Sequence, residues 1–277
     1  MKNFKLGLQL YSVRKDMEND FEGTLKKVAE MGYEYVEFAG YFGKTAKEVK
    51  ELLEKYNLKC ISVHQNIDLF LEEGQKAVDY LKTFGVKYAV VPWYAADKQK
   101  GTPDWEETVS RFKKVSKLLK ENDMYLLYHN HDFEFAKYQD KYLLDWIYEE
   151  IGLDCIKPEF DTCWIHYAGV DPCEYMMKYN GHVDIVHLKD FTCKELCGGP
   201  AYALIDKTGN TKPKPTRAEN DFMFRPLGMG RQNIPEILKT CEKLNAEYLI
   251  VEQDESVDRP ALEAAKISID YLKNLLK

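Results

Sequence analysis

Val183-Asp184-Ile185-Val186-His187-Leu188-Lys189-Asp190 is a short apolar run that ends in polar chemistry. Three other runs end the same way. Tyr125–Tyr128 leads into His129, Asn130, His131, Asp132 and Glu134; Ile156–Phe160 leads into Asp161; Tyr248–Val251 leads into Glu252, Gln253 and Asp254. Carboxylates and imidazoles are costly to bury beside Val, Ile and Leu unless something pairs them. His187 and Lys189 alternate, so a strand turns both to one face. Four such endings in successive strand–helix units point to one shared site, and these residue types point to a metal.

Strand-like runs recur along the whole chain: Leu6–Val13, Tyr33–Ala39, Lys59–His64, Tyr88–Trp93, Tyr125–His131, Ile156–Asp161, Val183–Asp190 and Tyr248–Gln253. Most are near-continuously apolar, as strands of a parallel sheet buried on both faces are. Helical patterns fill the gaps. Thr45 with Glu48 reads as a capping box before Val49, Leu52, Leu53 and Tyr56. Asp104 with Glu107 opens a helix, Asp171-Pro172 with Glu174 opens another, and Asn233 with Glu236 a third. A last helix spans Arg259–Leu276, with Pro260 near its start. Gly32 and Asn57 sit where helices stop. Eight β–α units in one chain of 277 residues predict a single-domain α/β fold, a (β/α)8 TIM barrel over residues 1–277. A doubly wound open sheet is the alternative, but no Gly-rich turn follows the first strand.

Composition narrows the function classes. Apolar residues make up 45% of the chain, enough for a sizeable core, and the net charge is −7. An acidic balance argues against a nucleic-acid surface and against anionic membranes. No segment approaches the roughly 18 uninterrupted apolar residues of a membrane span. The N-terminus runs straight into a strand pattern with no signal-peptide core. Seven irregularly spaced cysteines, several in apolar elements, imply reduced thiols. A cytoplasmic location is expected.

One segment breaks the rhythm. Phe191 to Gln232 is too long for an ordinary connection. It carries Gly198-Gly199-Pro200, Lys212-Pro213-Lys214-Pro215 and Arg225-Pro226-Leu227-Gly228-Met229-Gly230. In a barrel this loop after the seventh strand lies over the catalytic face, as a lid or as a plain insertion. The glycines of its second half favour a functional close approach of backbone. Cys193 and Cys197 are four apart with no second pair, which argues against a zinc site there.

Barrel active sites form at the C-terminal ends of the strands. Glu134, Asp161, His187 and Glu252 come from the fifth to eighth units and converge there as a metal set. Three carboxylates and one imidazole suit Mn²⁺, Mg²⁺, Co²⁺ or Zn²⁺. Such an ion polarises a carbonyl and stabilises an enediolate. The plainer alternative is that each residue is a solvated loop-start polar or a member of a structural ion pair.

Tyr128-His129-Asn130-His131-Asp132-Phe133-Glu134-Phe135, Phe160-Asp161-Thr162-Cys163-Trp164, Val186-His187-Leu188-Lys189-Asp190, Gly228-Met229-Gly230 and Val251-Glu252 resemble the xylose-isomerase-like barrel superfamily. That group includes sugar phosphate isomerase/epimerase homologues, ketose 3-epimerases, inosose dehydratase and endonuclease IV. The resemblance runs from Gly7-Leu8-Gln9-Leu10-Tyr11-Ser12 across essentially the whole chain. It implies that Asp161, His187 and Glu252 are metal ligands. For the fifth strand it implies a glutamate where this chain has His129. Glu134 is the expected ligand and His129 its substitute. Likeness to ketose epimerases implies that Glu134 and Glu252 also take part in proton transfer.

Other residues belong at the mouth. Glu37 and His64 are placed to contact polyol hydroxyls, or serve as structural strand-end groups. Trp93 and Trp164 stack on a sugar face or pack in the core. His131 is a candidate general acid or base. Lys189 is a candidate catalytic group at an oxyanion, or the partner of a carboxylate. Arg225 and His129 join the expected substrate contacts. His166 and His182 read as structural. The expected partner is a small-molecule carbohydrate, and a homo-oligomer is open, with Tyr202 or Phe222–Phe224 at a subunit contact.

Three activities fit these residues. A metal-dependent sugar isomerase or epimerase, acting through an enediolate on a ketose or keto-sugar, is the leading expectation. A lyase on a keto-sugar, keto-inositol or 3-keto-glycoside follows, because the His129 and His131 pair offers a second acid for a leaving group. A phosphodiesterase like endonuclease IV needs more histidines than the six present, none of which lies after His187.

Overall fold

The computed structural model describes residues 2–196 and 216–277. Eight parallel strands close a barrel: β1 (Lys5–Gln9), β2 (Tyr35–Phe38), β3 (Lys59–His64), β4 (Tyr88–Val91), β5 (Tyr125–His129), β6 (Lys157–Asp161), β7 (Ile185–Leu188) and β8 (Tyr248–Val251). Each strand pairs with its neighbour in sequence, and β8 returns to β1 with Tyr248 beside Lys5 and Val251 beside Leu8. The expected (β/α)8 barrel is the observed fold.

Alternation along the strands sorts the side chains. Tyr35, Ile61, Tyr88, Val90, Leu127, Ile185, Tyr248 and Ile250 form one buried cluster inside the barrel. Residues of the opposite parity, among them Leu8, Val36, Val63, Ala89, Leu126, Val186 and Leu249, join the larger core under the helices. Gly7 is a packing requirement. A Cβ there would sit 2.5 Å from Ile250 Cδ1 and 3.2 Å from Tyr35 Cβ. At the N-terminal mouth, lysines lie over tyrosine rings: Lys5 over Tyr248, Lys87 over Tyr88 and Lys157 over Tyr125.

Local signals start the helices as expected. Thr45 and Glu48 form a reciprocal capping box on Ala46–Lys55, and Asp171 accepts from Glu174 N ahead of Pro172–Met177. Asp104 precedes Trp105–Lys120 without a side-chain cap bond. Asn233 accepts from Glu236 N at the start of Ile234–Lys243. Gly32 stops Phe21–Met31 at φ +93°, a left-handed conformation that glycine tolerates best.

Most strands are shorter than their apolar runs. Leu10–Val13 turns into a 3-10 helix, and β5 stops at His129 rather than His131. The residues beyond leave the sheet and line the mouth.

The chain after β7 folds back as a short antiparallel hairpin, Asp190–Thr192 with Met223–Arg225. Asp190 organises this return. Its carboxylate accepts from the backbone N–H of Gly228 (3.0 Å), Gly230 (2.9 Å), Gln232 (3.0 Å) and Phe191 (2.9 Å). A Cβ at Gly230 would stand 2.2 Å from Asp190 Oδ1. The close approach these glycines permit is thus to a carboxylate of the chain itself. Gly198-Gly199-Pro200, Lys212-Pro213-Lys214-Pro215, Cys197 and Tyr202 lie outside the described residues. Phe222 and Phe224 pack on Trp164, and Phe222 also on Tyr167. Among the described residues no helix is long and apolar enough to cross a membrane.

Candidate metal and proton-transfer site

The C-terminal end of the barrel holds two tiers of buried polar side chains. The lower tier is Glu37 of β2, His64 of β3 and Glu159 of β6. His64 Nε2 lies 2.8 Å from Glu37 Oε1 and 2.9 Å from Glu159 Oε2. Glu37 also accepts from Gln9 Nε2 and Ser62 Oγ, all three residues being fully buried. The upper tier is Asp161, Glu252 and Lys189. Lys189 Nζ stands 2.8 Å from Asp161 Oδ2, 2.9 Å from Glu252 Oε2 and 2.9 Å from Asp254 Oδ1.

His129 and His187 stand between the tiers and touch both. His187 turns Nε2 to Glu37 (3.0 Å) and Glu159 (3.3 Å), and Nδ1 to Glu252 (3.0 Å). His129 turns Nδ1 to Glu159 (3.2 Å), and Nε2 toward Asp161 (3.6 Å) and Glu252 (3.9 Å). Two donor groups result, each with ligand atoms mutually within 4.8 Å: His129, Asp161, His187 and Glu252, or His64, His129, Glu159 and His187. Both fit the chemistry of a divalent ion, being two or three imidazoles with one or two carboxylates.

The tiers set one another's protonation. Burial, and then the charges of His187 and His64, push His129 well below the usual imidazole range, so its ring is neutral. Burial alone would lower His187, but the carboxylates of Glu159 and Glu37 overcome it and hold it well above that range. Burial pushes Asp161 up to about 6, against the pull of Lys189. Burial also works on Glu252, yet Lys189 and His187 hold it below the usual carboxylate range. Lys189 stays charged because Asp161, Asp254 and Glu252 outweigh its desolvation.

The sequence candidates now separate. Asp161, His187, Glu252, Lys189, Glu37, His64 and His129 all lie in the two tiers. Glu134 does not. The chain leaves β5 in a short 3-10 turn, Phe133–Phe135, that folds Glu134 back. Its Oε1 accepts from Tyr128 OH (2.7 Å) and its Oε2 from His131 N (2.8 Å). It is in neither donor group, and the fifth-strand residue in both is His129. Trp93 is 56% exposed beyond β4, neither packed in the core nor part of the tiers. Arg225 pairs with Asp258 at 2.8 Å and with Thr192 Oγ1. Lys189 Nζ lies at ion-pair distance from three carboxylates, which places it as their charge partner.

His131 and Trp164 form the near wall. The half-buried His131 ring is 5.3 Å from His129 and 5.6 Å from Trp164, and its Nδ1 is buried with no hydrogen-bond partner. Burial, and then the charge of Lys189, push it down to about 3, so it is neutral near pH 7. Trp164 is buried under Phe222, with the Arg217 guanidinium 4.3 Å from its ring centroid.

Reading the sequence missed Glu159, Gln9 and Arg217. Glu159 had a signal: it is two residues before Asp161, so the strand turns both carboxylates inward. Gln9 follows Gly7 on β1 in the same way. Arg217 sits in the long loop, where no periodicity marks it.

Comparison with known proteins agrees with this architecture. An inosose dehydratase from Clostridium perfringens is 25% identical over 98% of this chain and 97% of its own length. The crystal structure of a sugar phosphate isomerase/epimerase from Parabacteroides distasonis superposes with a TM-score of 0.77 at 22% identity, covering 100% of this chain and 96% of that one. The IolI protein, solved with a zinc atom bound, superposes with a TM-score of 0.71 at 14% identity over 99% and 98% of the two chains. The family model described as xylose isomerase-like TIM barrel matches residues 25–275. With that match over most of its length and the closed eight-stranded barrel, the chain belongs to the xylose isomerase-like TIM barrel family.

Proposed function

We propose that this protein is a divalent-metal-dependent lyase that removes water from a polyhydroxylated cyclic ketone of the inosose class. The observation that carries this reading is the convergence of donors from four strands beside an unpartnered buried imidazole nitrogen, His131 Nδ1. His129, Asp161, His187 and Glu252 would hold the ion. A bound divalent ion polarises the ketone oxygen and stabilises the charge that develops there.

The remaining work falls to the chain's own side chains. His131 Nδ1 is a ring nitrogen of the site without a hydrogen-bond partner and is assigned the proton next to the carbonyl, although its lowered basicity makes it a weak base for that step. Returning that proton to the departing β-hydroxyl releases water and leaves an enone, which balances the reaction with one base. Lys189 fixes the Asp161 and Glu252 carboxylates by its contacts at 2.8 and 2.9 Å. Trp164, covered by Phe222 and the Arg217 guanidinium, backs the His131 ring.

Full-length similarity to an inosose dehydratase moves elimination ahead of isomerisation, the order opposite to that expected from sequence. The second reading, a sugar isomerase or epimerase, shares the first proton removal but returns the proton to carbon. Similarity to a sugar phosphate isomerase/epimerase favours it. Incubation of an inosose and a ketose panel in D₂O with Mn²⁺ or Co²⁺ separates them by mass spectrometry. Loss of water supports the lyase. Deuterium in recovered substrate or epimer, without loss of water, supports isomerisation. No change with any substrate or metal refutes both.

A further inference from the structure

Two overlapping donor groups share His129 and His187, and a divalent ion bound to one makes the other something else. Charge decides between them. The upper tier sets three carboxylates, Asp161, Glu252 and Asp254, against one ammonium, Lys189. That leaves two negative charges uncompensated, which matches a divalent ion. The lower tier sets two carboxylates, Glu37 and Glu159, on either side of the His64 ring. Glu37 is further supplied by two neutral donors, Gln9 and Ser62.

A ligating histidine needs its other ring N–H held by an acceptor, which fixes both tautomer and ring orientation. His129 meets that condition from below through its Nδ1 bond to Glu159, whereas His187 Nε2 lies within ion-pair distance of Glu37 and Glu159 without forming a hydrogen bond. His187 presents Nε2 to Glu37 and Glu159 and leaves Nδ1 on the Glu252 side. His129 presents Nδ1 to Glu159 at 3.2 Å and leaves Nε2 facing Asp161 and Glu252. His64 bridges Glu37 and Glu159 and stacks on His187 at 5.4 Å with rings 10° from parallel.

We propose that Glu37, His64 and Glu159 are positioning residues and not a second metal site. They lock His187 and His129 so that each offers its upper ring nitrogen to a single ion held with Asp161 and Glu252. This rests on the metal-dependent reading above and adds the division of labour between the tiers.

Chelator-stripped protein titrated with Mn²⁺ by calorimetry, with ion content measured in parallel, tests it. The wild type is expected to take one ion per chain. Glu159→Gln keeps that stoichiometry but binds about 10–100-fold more weakly, the usual effect of losing an outer partner. Glu159→Asp recovers part of the loss. His64→Asn keeps one ion per chain, whereas Asp161→Asn abolishes binding. The Co²⁺-loaded Glu159→Gln variant shows altered visible bands, a change that a purely structural role would not produce. Two ions per chain in the wild type, or loss of binding in His64→Asn but not in Asp161→Asn, overturns the proposal without touching metal dependence. No binding by the wild type refutes metal dependence itself and the proposal with it.

Discussion

Replacing Lys189 by methionine removes the one ammonium that faces Asp161, Glu252 and Asp254. Nζ is 2.8–2.9 Å from each of them, and the side chain is 1% exposed. At this separation and an effective dielectric near 20, each contact is worth roughly 6 kcal/mol before desolvation. Desolvation offsets much of that sum. The usual net cost of removing one partner from a buried ionic group is about 3–5 kcal/mol, because the remaining charges stay buried without compensation. For a chain of this size the loss corresponds to a fall in Tm of roughly 5–9 °C. A divalent ion on the same carboxylates supplies the missing positive charge. The loss is therefore expected in chelator and reduced to less than half at saturating Mn²⁺. Urea unfolding of wild type and Lys189→Met, with and without Mn²⁺, measures both quantities. A loss below about 1 kcal/mol in chelator, or the same loss in both conditions, refutes the charge argument.

Three further outcomes follow from the geometry. His131→Asn should lower kcat by about 10²–10⁴ while leaving Mn²⁺ affinity within a few-fold, since a proton carrier is lost and no ligand is touched; unchanged turnover would remove His131 from the mechanism. Burial pushes the Glu134 carboxyl up from 4.5 to about 8. A folded value above the unfolded one gives stability that is fully present below about 4.5 and lost as pH rises through about 8. Glu134→Gln cannot ionise, so it should gain on the wild type by a few kcal/mol between about pH 5 and pH 9; a difference independent of pH in urea curves would contradict this. Gly7→Ala places a Cβ 2.5 Å from Ile250 Cδ1 and should cost about 1–3 kcal/mol by thermal unfolding; a neutral effect would mean that the barrel interior yields more easily than its packing indicates.

The barrel itself was legible because strand parity and strand–helix alternation are written in residue type. Each expected strand overlaps the observed one. Their ends overran for a physical reason: the apolar signal of Leu10, Val13 and Trp93 continues past the last sheet pairing. Asp161, His187, Lys189 and Glu252 were readable from the same parity, because each stands on or just past the inward face of a strand end. Glu159 obeys the rule equally well, but it precedes the strand end, where the polar signal is less conspicuous than at Asp161. Glu134 failed for a reason that no pattern in the sequence carries. A single 3-10 turn after β5 reverses the chain and spends both carboxylate oxygens on Tyr128 and His131. Gly228 and Gly230 were recognised as sites of close approach, but the partner, Asp190, is about forty residues away in sequence and near only in the folded chain.

An anomalous difference map from crystals of the Mn²⁺-loaded protein tests the central claim most directly. The account predicts one peak per chain, bonded to Asp161, Glu252, His129 Nε2 and His187 Nδ1, with Glu159 in contact with both rings but not with the ion. A peak among His64, Glu159 and the lower ring nitrogens, or no peak at the barrel mouth, would contradict it.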